Sequence, residues 1–370
     1  MAELFGKRFT RRELESYFGN RDQVAGITFG ELSDGRARGV RVAEVRTGSG
    51  FSFTVVLDRC MDVSRADFCG RSLCWRSITG DTHPAYYEAD GISWLRGFGG
   101  GLVTTCGLGY FGAPCVDGGA SLGIHGRISN TPAERLGTQQ YWAGNDWIMS
   151  LTGEMMEGHL FGACLRLRRT IRTKLGAKSF TIHDEVTNAG PRPAPLMLLY
   201  HCNLGFPALG PQARVLAPSL RVQPNTPTAE KGKARYAQCE PPQRGFAEMV
   251  YEHDLAAKAG KTCAALLNPA IDDGFGVVLR WRKEQLPVLT QWKMMGEAEY
   301  VMGLEPGTNG VTGRVNEREK ARLTTLRPGE AREFDLEVGV VSGAADVRAV
   351  EREVRAVAGG RKAKIGTCGG

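Results

Sequence analysis

The sequence predicts an all-β protein, a large antiparallel β-sandwich with short helices at its ends. Roughly fifteen or more short apolar or alternating runs are separated by turn residues, which is typical of many short strands. Glycine (49 residues) and proline (17 residues) are frequent among the 370 residues, as a chain with many tight turns requires. No repeat of about 20–50 residues is visible, which argues against a propeller or a solenoid.

The first third of the chain contains a polar lead-in, a set of strands and a glycine-rich region. In the lead-in, residues 1–24, Leu14, Tyr17 and Phe18 fit a short amphipathic helix. Residues 27–59 follow as three strands separated by turns. Residues 76–145 show little periodicity, and 11 glycines occur within 97–130. We expect functional loops and short strands there rather than a helix.

The rest of the chain returns to longer strands. Residues 160–175 and 178–190 flank Gly176-Ala177 and predict a long hairpin with one polar face. The proline-rich residues 207–247 predict an irregular connection, and 252–260 a helix. We expect one sandwich domain over 25–345 and a C-terminal tail over 346–370, of which the last residues, 359–370, are frayed.

Charge and cysteine content exclude several classes of protein. The 47 basic and 40 acidic residues give a net charge of +7. The basic cluster Arg166, Arg168, Arg169, Arg172 and Lys174 fits a solvated strand face, and without aromatic platforms it does not predict nucleic-acid binding. The charge is compatible with an anionic small molecule.

The compartment is predicted from the same composition. No apolar run of about 20 residues occurs, so we expect no membrane span, and the first residues predict no signal peptide. The ten cysteines form no CxxC pair, which favours free thiols in the cytoplasm.

Two polar residues follow apolar runs at places where strands end. His201 follows LMLLY, and Glu305 follows YVMGL and precedes a proline and a glycine. A strand end can present such groups to a pocket, and burial of Glu305 would raise its pKa toward that of a general base.

A third candidate lies in the glycine-rich region. His125 is flanked by Gly123 and Gly126, which would let the backbone approach a ligand closely, and Arg127 would share its face on a strand. His183-Asp184-Glu185 alternate across a strand and converge poorly, so we expect no catalytic metal.

Five segments of the chain resemble the aldose 1-epimerase (galactose mutarotase-like) superfamily, and within it a bacterial branch. The segments are LDRCMDVSRADFCGRSLCW at 57–75, HPAYYEADGISWLRGFGGGLVTTCGL at 83–108, LGIHGRISNTPAE at 122–134, LLYHCNLGFP at 198–207 and LTQWKMMGEAEYVMGLEPGTN at 289–309. The resemblance implies the β-supersandwich fold and an isomerase that needs no cofactor and binds a small sugar, as a monomer or homodimer.

The resemblance also implies roles for the candidate residues. His201, in the YHxN element, would be the general acid, and Glu305, at the LEP strand end, the general base. His125, in the HG element, would contact the substrate. These roles suit mutarotation, in which the sugar ring opens to the aldehyde and closes on the other face.

Substrate contacts beyond these three residues are less closely defined by the family pattern. The family's arginine precedes its first histidine, whereas Arg127 follows His125, so Arg59 and Arg96 are alternatives to Arg127. Trp94, Tyr86 and Trp292 could stack on a sugar ring. We expect the remaining substrate contacts, within the matching segments, from His83, Lys293 and Asn203.

The same residues are compatible with two other functions. An acid–base pair could serve an epimerase or a lyase that acts on a keto-sugar or acidic sugar, and the fold could also bind carbohydrate without turnover.

Overall fold

The computed structural model describes residues 2–368; Met1, Gly369 and Gly370, which fall in the expected lead-in and tail, lie outside the described residues. Strands make up 47% and helices 14%, which confirms the all-β prediction. The first elements in chain order are β1 (Ala2–Leu4), β2 (Lys7–Phe9), α1 (Arg11–Glu15), β3 (Gly26–Glu31), β4 (Arg41–Arg46), β5 (Phe51–Val56), β6 (Asp62–Phe68), β7 (Arg71–Ser72), β8 (Thr104–Cys106), β9 (Cys115–Asp117), β10 (Ala120–Leu122), β11 (Glu134–Ala143), β12 (Asp146–Gly158), β13 (Cys164–Lys174) and β14 (Ser179–Asn188).

The second half begins at β15 and ends close to the C-terminus. Its elements are β15 (Ala194–Leu196), β16 (Leu199–Leu204), β17 (Arg214–Leu216), β18 (Ser219–Pro224), α2 (Pro227–Gly232), β19 (Met249–Leu255), β20 (Lys261–Asn268), β21 (Phe275–Arg282), β22 (Val288–Gly296), β23 (Glu299–Gly307), α3 (Arg314–Glu319), β24 (Thr324–Leu326), β25 (Ala331–Ser342), α4 (Ala344–Ala358) and β26 (Lys364–Ile365). Short 3₁₀ helices occupy Arg21–Gln23, Gly35–Ala37, Pro84–Tyr86, Ser93–Gly97, Ile128–Asn130 and Lys233–Arg235.

Three sheets form the body of the protein. An eight-stranded sheet has the order β11-β12-β13-β14-β25-β21-β20-β17, and a seven-stranded sheet has the order β26-β18-β19-β22-β23-β16-β8. A five-stranded sheet, β3 to β7 in sequence order, adds to them. All the pairings within these sheets are antiparallel except β18 with β26. Within residues 2–368, no helix is long and apolar enough to cross a membrane.

One hydrophobic core lies among the three sheets. Its largest cluster includes Phe53 of β5, Phe180 of β14, and Tyr200 and Leu304 of β16 and β23. The rings of Phe53 and Phe180 lie 4.6 Å apart between centroids, so the five-stranded and eight-stranded sheets are in direct contact. This close packing fixes the strands that carry the site.

The two faces of the seven-stranded sheet differ in chemistry because side chains alternate along a strand. On β16, Tyr200, Cys202 and Leu204 enter the core cluster, so His201 lies on the opposite, outer face. On β23, Met302 and Leu304 enter the core, and Glu305 lies on the outer face. The outer face is covered by the glycine-rich region.

Several elements differ from the sequence predictions. The predicted helix at 252–260 is wrong, because these residues include the end of β19, which pairs with β18 and β22. Helices are not confined to the ends, since α2 and α3 lie in connections between strands. The helix expected at the C-terminal end is α4, whose Val350 is buried, whereas β26 forms within the residues 359–370 that the sequence predicts to be frayed.

The basic cluster on β13 also departs from its prediction at one residue. The hairpin of β13 and β14 forms as predicted, and Arg168 and Arg172 are exposed. Arg169, however, is completely buried and bonded to Asp184 and Asp62. Odd-numbered positions on β13 face the core and even-numbered positions face solvent, so Arg169 cannot share the solvated face of Arg168.

Candidate active site

A cavity of about 230 Å³ lies on the outer face of the seven-stranded sheet. Strands of that sheet form its floor, and the glycine-rich region forms its roof. The lining residues are Trp94, Leu95, Phe98, Gly112, Ala113, Ile124, His125, His201, Glu248, Val250, Thr290, Trp292, Glu305 and Val311. It therefore contains His201, Glu305, His125 and Trp292, which come from three of the five segments quoted above.

His201 and Glu305 lie opposite each other on paired strands. The pairs Leu199↔Gly307 and Cys202↔Leu304 set the register of β16 and β23, which brings the two side chains together. His201 Nε2 lies 3.2 Å from Glu305 Oε1, and their side chains are only 5% and 2% exposed. The two atoms are in contact but lack hydrogen-bond geometry, since Oε1 has no hydrogen-bond partner.

The rest of the floor comes from β22 and the start of β19. Thr290 pairs with Glu305 across β22 and β23, so both side chains share the outer face. Trp292, two residues along, presents its ring edge-on to His201 at 5.5 Å between centroids. Its Nε1 donates to Glu248 Oε2 at 2.7 Å, which fixes a carboxylate at the exposed rim of the cavity.

The roof places the second histidine over the first. The rings of His125 and His201 are 5.4 Å apart between centroids and nearly perpendicular, and Trp94 packs on His125 at 4.9 Å. His125 has φ 59°, and its backbone N–H donates to Gly112. The His125 side chain therefore reaches the cavity from a sharp turn and not from a strand.

The glycines beside His125 act differently from the sequence prediction. A Cβ at Gly123 would lie 1.9 Å from the Ala89 carbonyl oxygen, and one at Gly126 would lie 2.2 Å from that of Tyr110. These glycines allow the turn to pack against the protein's own backbone. The predicted close approach to a ligand is not what requires them.

Burial controls the protonation of the site. Burial raises the pKa of Glu305 well above its usual value, with a smaller effect of Glu248 in the same direction. Burial lowers the pKa of His201 well below its usual value, and His125 lowers it further. Burial also lowers the pKa of His125 to about 4. Burial thus favours the neutral form of each of the three groups.

Four buried polar atoms around the cavity have no hydrogen-bond partner within the protein. They are His125 Nδ1, His201 Nδ1, Thr290 Oγ1 and Glu305 Oε1. An unsatisfied buried polar atom costs about 1–3 kcal/mol, so such a group in a native site calls for an explanation. A polar ligand with several hydroxyl groups could supply the missing partners.

The structure places four of the predicted contact residues outside the cavity lining. Arg127 is exposed beside the Tyr87 ring, because the turn at His125 breaks the strand period that would have put it beside His125. His83 accepts from Ala85 N–H as a helix cap. Lys293 is buried on the core face of β22 and bonded to the Arg235 carbonyl. Asn203 shares the outer face with His201 but bonds to the Gly101 carbonyl.

The alternative arginines lie outside the lining as well. Arg59 is buried and donates to the carbonyls of Ser129, Thr82 and Gly97, so it ties together the loops of the roof. Arg96 is exposed and paired with Glu88. Tyr86 is 52% exposed and does not line the cavity.

A second, larger groove of about 940 Å³ is lined by residues that include Glu252, Lys283 and Arg322. Its charged groups bond to one another: Arg322 to Glu252, and Lys283 to Asp254. By volume alone, this groove would be the stronger candidate for the reactive site. The buried histidine–carboxylate contact favours the smaller cavity as the reactive site.

The lining residues that the sequence analysis did not identify include Thr290, Glu248 and Phe98. Thr290 and Glu248 become recognisable only through the register of β22 with its neighbours, since each lies on the face that carries Trp292 and Val250. Phe98 lies in the aperiodic region, 5.3 Å between ring centroids from His201, and no local pattern marks it.

Comparison with known proteins agrees with this architecture. No curated protein matches the chain in sequence. A solved "putative aldose 1-epimerase" from Klebsiella pneumoniae is 29% identical, with a TM-score of 0.87 over 92% of this chain and 90% of that one. The resemblance inferred from the sequence is thereby confirmed.

More distant structures show the fold alone. A galactose mutarotase-like protein from Clostridium acetobutylicum is 12% identical, with a TM-score of 0.57 over 86% of this chain and 99% of that one. A galactose 1-epimerase from Lactobacillus acidophilus is 11% identical, with a TM-score of 0.53 over the same shares of the two chains.

Residues 37–340 match the family described as "Domain of unknown function (DUF4432)", so the chain belongs to that family.

Proposed function

We propose that this protein is an aldose 1-epimerase that interconverts the anomers of a small sugar with His201 and Glu305 as its acid–base pair. The observation that carries the proposal is their 3.2 Å contact in a cavity where four buried polar atoms lack partners. The name of the Klebsiella pneumoniae relative supports the same reaction.

The geometry suits the two proton transfers that mutarotation needs. Ring opening removes a proton from the anomeric oxygen, O1, and adds one to the ring oxygen, O5. Both oxygens are bonded to the same carbon, so two adjacent groups on one wall can reach both. The two groups need not flank the sugar, and general acid–base catalysis of this kind is worth typically 10²–10⁴-fold.

The cavity lining favours a neutral, single-ring sugar. Among the described residues that line it, none is lysine or arginine, and two are glutamates. A carboxylated or phosphorylated sugar would find no cation there, although the overall charge of +7 left that class open. Trp292 offers an apolar surface to the ring, and His125 and Glu248 offer polar groups to its hydroxyls.

We also propose that the protein works in the cytoplasm without a cofactor. All ten cysteines are free in the part of the chain that the structure describes, which suits a reducing compartment. The proton transfers above require only side chains.

Anomeric-exchange NMR on a panel of neutral aldoses, uronic acids and keto-sugars tests the proposal. We expect saturation transfer between the α and β anomers of at least one neutral aldose, with no change in sugar identity, and its loss in Glu305→Gln. A new product would indicate an epimerase or a lyase instead. Binding without exchange would indicate a carbohydrate-binding protein, and either result would overturn the proposal.

A further inference from the structure

The carboxylate of Glu305 lies back along its own strand, above Gly303. A Cβ built at Gly303 would overlap Glu305 Oε1, so this oxygen occupies the space that a side chain at Gly303 would fill. The same Cβ would lie 3.0 Å from the Cβ of Trp292, which pairs with Gly303 across β22 and β23. Because residues two apart on a strand share a face, Gly303 lies on the floor of the cavity beside Glu305.

The oxygen above Gly303 is also the oxygen that contacts the histidine. Glu305 Oε1 lies 3.2 Å from His201 Nε2. Among residues 2–368, this buried oxygen has no hydrogen-bond partner. Since no hydrogen bond within the described chain holds Oε1 in place, the shape of the space around it determines where it lies.

The two strand neighbours of Gly303 carry side chains that are bonded elsewhere. Gly303 pairs with Trp292 on one side and with Asn203 on the other. Trp292 Nε1 donates to the Glu248 carboxylate. Asn203 Nδ2 donates to the Gly101 carbonyl. The missing side chain at Gly303 therefore leaves room for the carboxylate in this part of the floor.

The backbone at Gly303 does not itself require a glycine. Gly303 lies in the middle of β23, and it is not one of the glycines with positive φ. A glycine inside a strand weakens that strand, because it loses much conformational freedom on folding and has no side chain to pack. The close approach of Glu305 and Trp292 is what accounts for it.

We propose that Gly303 is a positioning residue, whose missing side chain lets the Glu305 carboxylate lie against His201. The consequence for catalysis rests on the proposed function, whereas the placement of the carboxylate does not. The atom that a methyl group at Gly303 would meet first is the end of a flexible side chain. We therefore expect such a methyl group to move the carboxylate and to leave the strand in place.

Gly303→Ala tests the proposal against a matched control, Gly296→Ala. Gly296 ends β22 in the same sheet and lies outside the cavity lining, and a Cβ there would lie 2.8 Å from Met294 Cε, again the end of a flexible side chain. We expect Gly303→Ala to lower kcat for anomeric exchange about 10-fold or more, with KM changed less than about threefold. Gly296→Ala should change neither constant more than about twofold. An unchanged kcat in folded Gly303→Ala would overturn the proposal.

The ¹⁵N NMR signals of the His201 ring report the placement of the carboxylate without any substrate. They are assigned by their absence in His201→Asn. We expect them to move in Gly303→Ala and to stay in place in Gly296→Ala. The ring of His253, which is buried with partners on both nitrogens, should be unaffected by either change. Unchanged His201 signals in Gly303→Ala would overturn the proposal.

A double-mutant cycle distinguishes positioning from a general packing defect. If Gly303 acts through the carboxylate, Gly303→Ala should cost little further kcat in a Glu305→Gln background. Losses that multiply would show that Gly303 acts through its packing against Trp292, which would overturn the proposal. If Gly303→Ala alone does not fold, Glu305→Ala in the same chain should restore folding, since it removes the overlapping carboxylate. A failure to restore it would equally overturn the proposal.

The NMR measurement separates this inference from the proposed function. If no sugar undergoes anomeric exchange but the His201 signals move in Gly303→Ala alone, the proposed function fails while the positioning of Glu305 by Gly303 stands. If exchange is seen and the His201 signals do not move, the proposed function stands and the inference fails.

Discussion

At the scale of single residues, burial controls the chemistry of the histidines more strongly than neighbouring charge does. His201, His125 and His253 all have pKa values lowered chiefly by burial. His183, which is half exposed, shows the opposite direction, because its hydrogen bond to Asp335 raises its pKa. The same residue type therefore serves as a neutral site group in one place and a surface ion-pair partner in another.

Buried His253 gives a pH dependence of stability. Burial lowers its pKa to about 4, against the ordinary value of about 6.5 expected in the unfolded chain. The unfolded state therefore binds the proton first, so the His253 contribution is complete above pH ~6.5 and is lost as pH falls toward 4.

We expect His253→Gln to reduce the acid sensitivity of folding. Between pH 6.5 and 4, the free energy of unfolding of the wild-type chain should fall by about 3 kcal/mol more than that of the variant. Urea titrations at several pH values measure both. Parallel pH dependences in the two proteins would contradict the assignment.

The position of a side chain could be predicted from the sequence where a strand determines it. His201 and Glu305 each end an apolar run, and strand alternation places both on one face. The same alternation shows why Trp292 and Lys293, which are adjacent on β22, cannot both reach the cavity. Arg127 was misplaced because a left-handed residue at His125, φ 59°, is not visible in the sequence.

At the scale of elements, the roof of the site is held to the rest of the protein by ion pairs. Asp117 on β9 bonds to both Arg314 and Arg318 of α3, and Arg314 also donates to the Gly109 carbonyl. These bonds lower the pKa of Asp117 to about 2, with Arg318 the largest cause. Asp117 belongs to the β9–β10 hairpin, and the turn that carries His125 follows directly after β10.

We expect Asp117→Asn to loosen the roof without removing any reacting group. KM should rise about 3–10-fold while kcat changes less, because substrate contacts weaken and the acid–base pair stays in place. Steady-state kinetics on a confirmed sugar measure this. Glu3→Gln, which removes an exposed pair with Arg8, is the control and should change neither constant. A fall in kcat at constant KM would contradict the interpretation.

Strands could be predicted from the sequence where apolar residues alternate with polar ones or form a continuous run. The β13–β14 hairpin and the strands β5, β6 and β21 to β23 follow from alternating or apolar runs. The segment 252–260 lacked a distinguishing period, and its pairing with two neighbours makes its first residues a strand. The glycine-rich region that forms the roof of the site has no regular spacing of apolar residues, so only its loop character could be predicted.

At the scale of the whole molecule, one buried ionic cluster joins the three sheets. Arg169 of β13 bonds to Asp184 of β14 and to Asp62 of β6. Tyr200 of β16 donates to Asp184 Oδ2 at 2.7 Å, and Thr105 of β8 donates to Asp62. Tyr200 precedes His201, so the cluster anchors the strand that carries the site from its core face.

We expect Asp184→Asn to destabilise the whole fold by about 3 kcal/mol or more, because a buried guanidinium loses its main partner. Urea denaturation followed by fluorescence measures the change in free energy of unfolding. Asp335→Asn, which removes an exposed pair with His183, is the control and should cost less than about 1 kcal/mol. A loss below 1 kcal/mol for Asp184→Asn would show that the cluster is not what holds the sheets.

The central claim is that His201 and Glu305 act together on one transition state. The most direct test is a double-mutant cycle on kcat for anomeric exchange with Glu305→Gln and His201→Asn. We expect each single variant to lose about 10² or more, and the double variant to be little worse than either, because each transfer depends on the other. Near-normal turnover in Glu305→Gln, or losses that multiply in the double variant, would contradict the account.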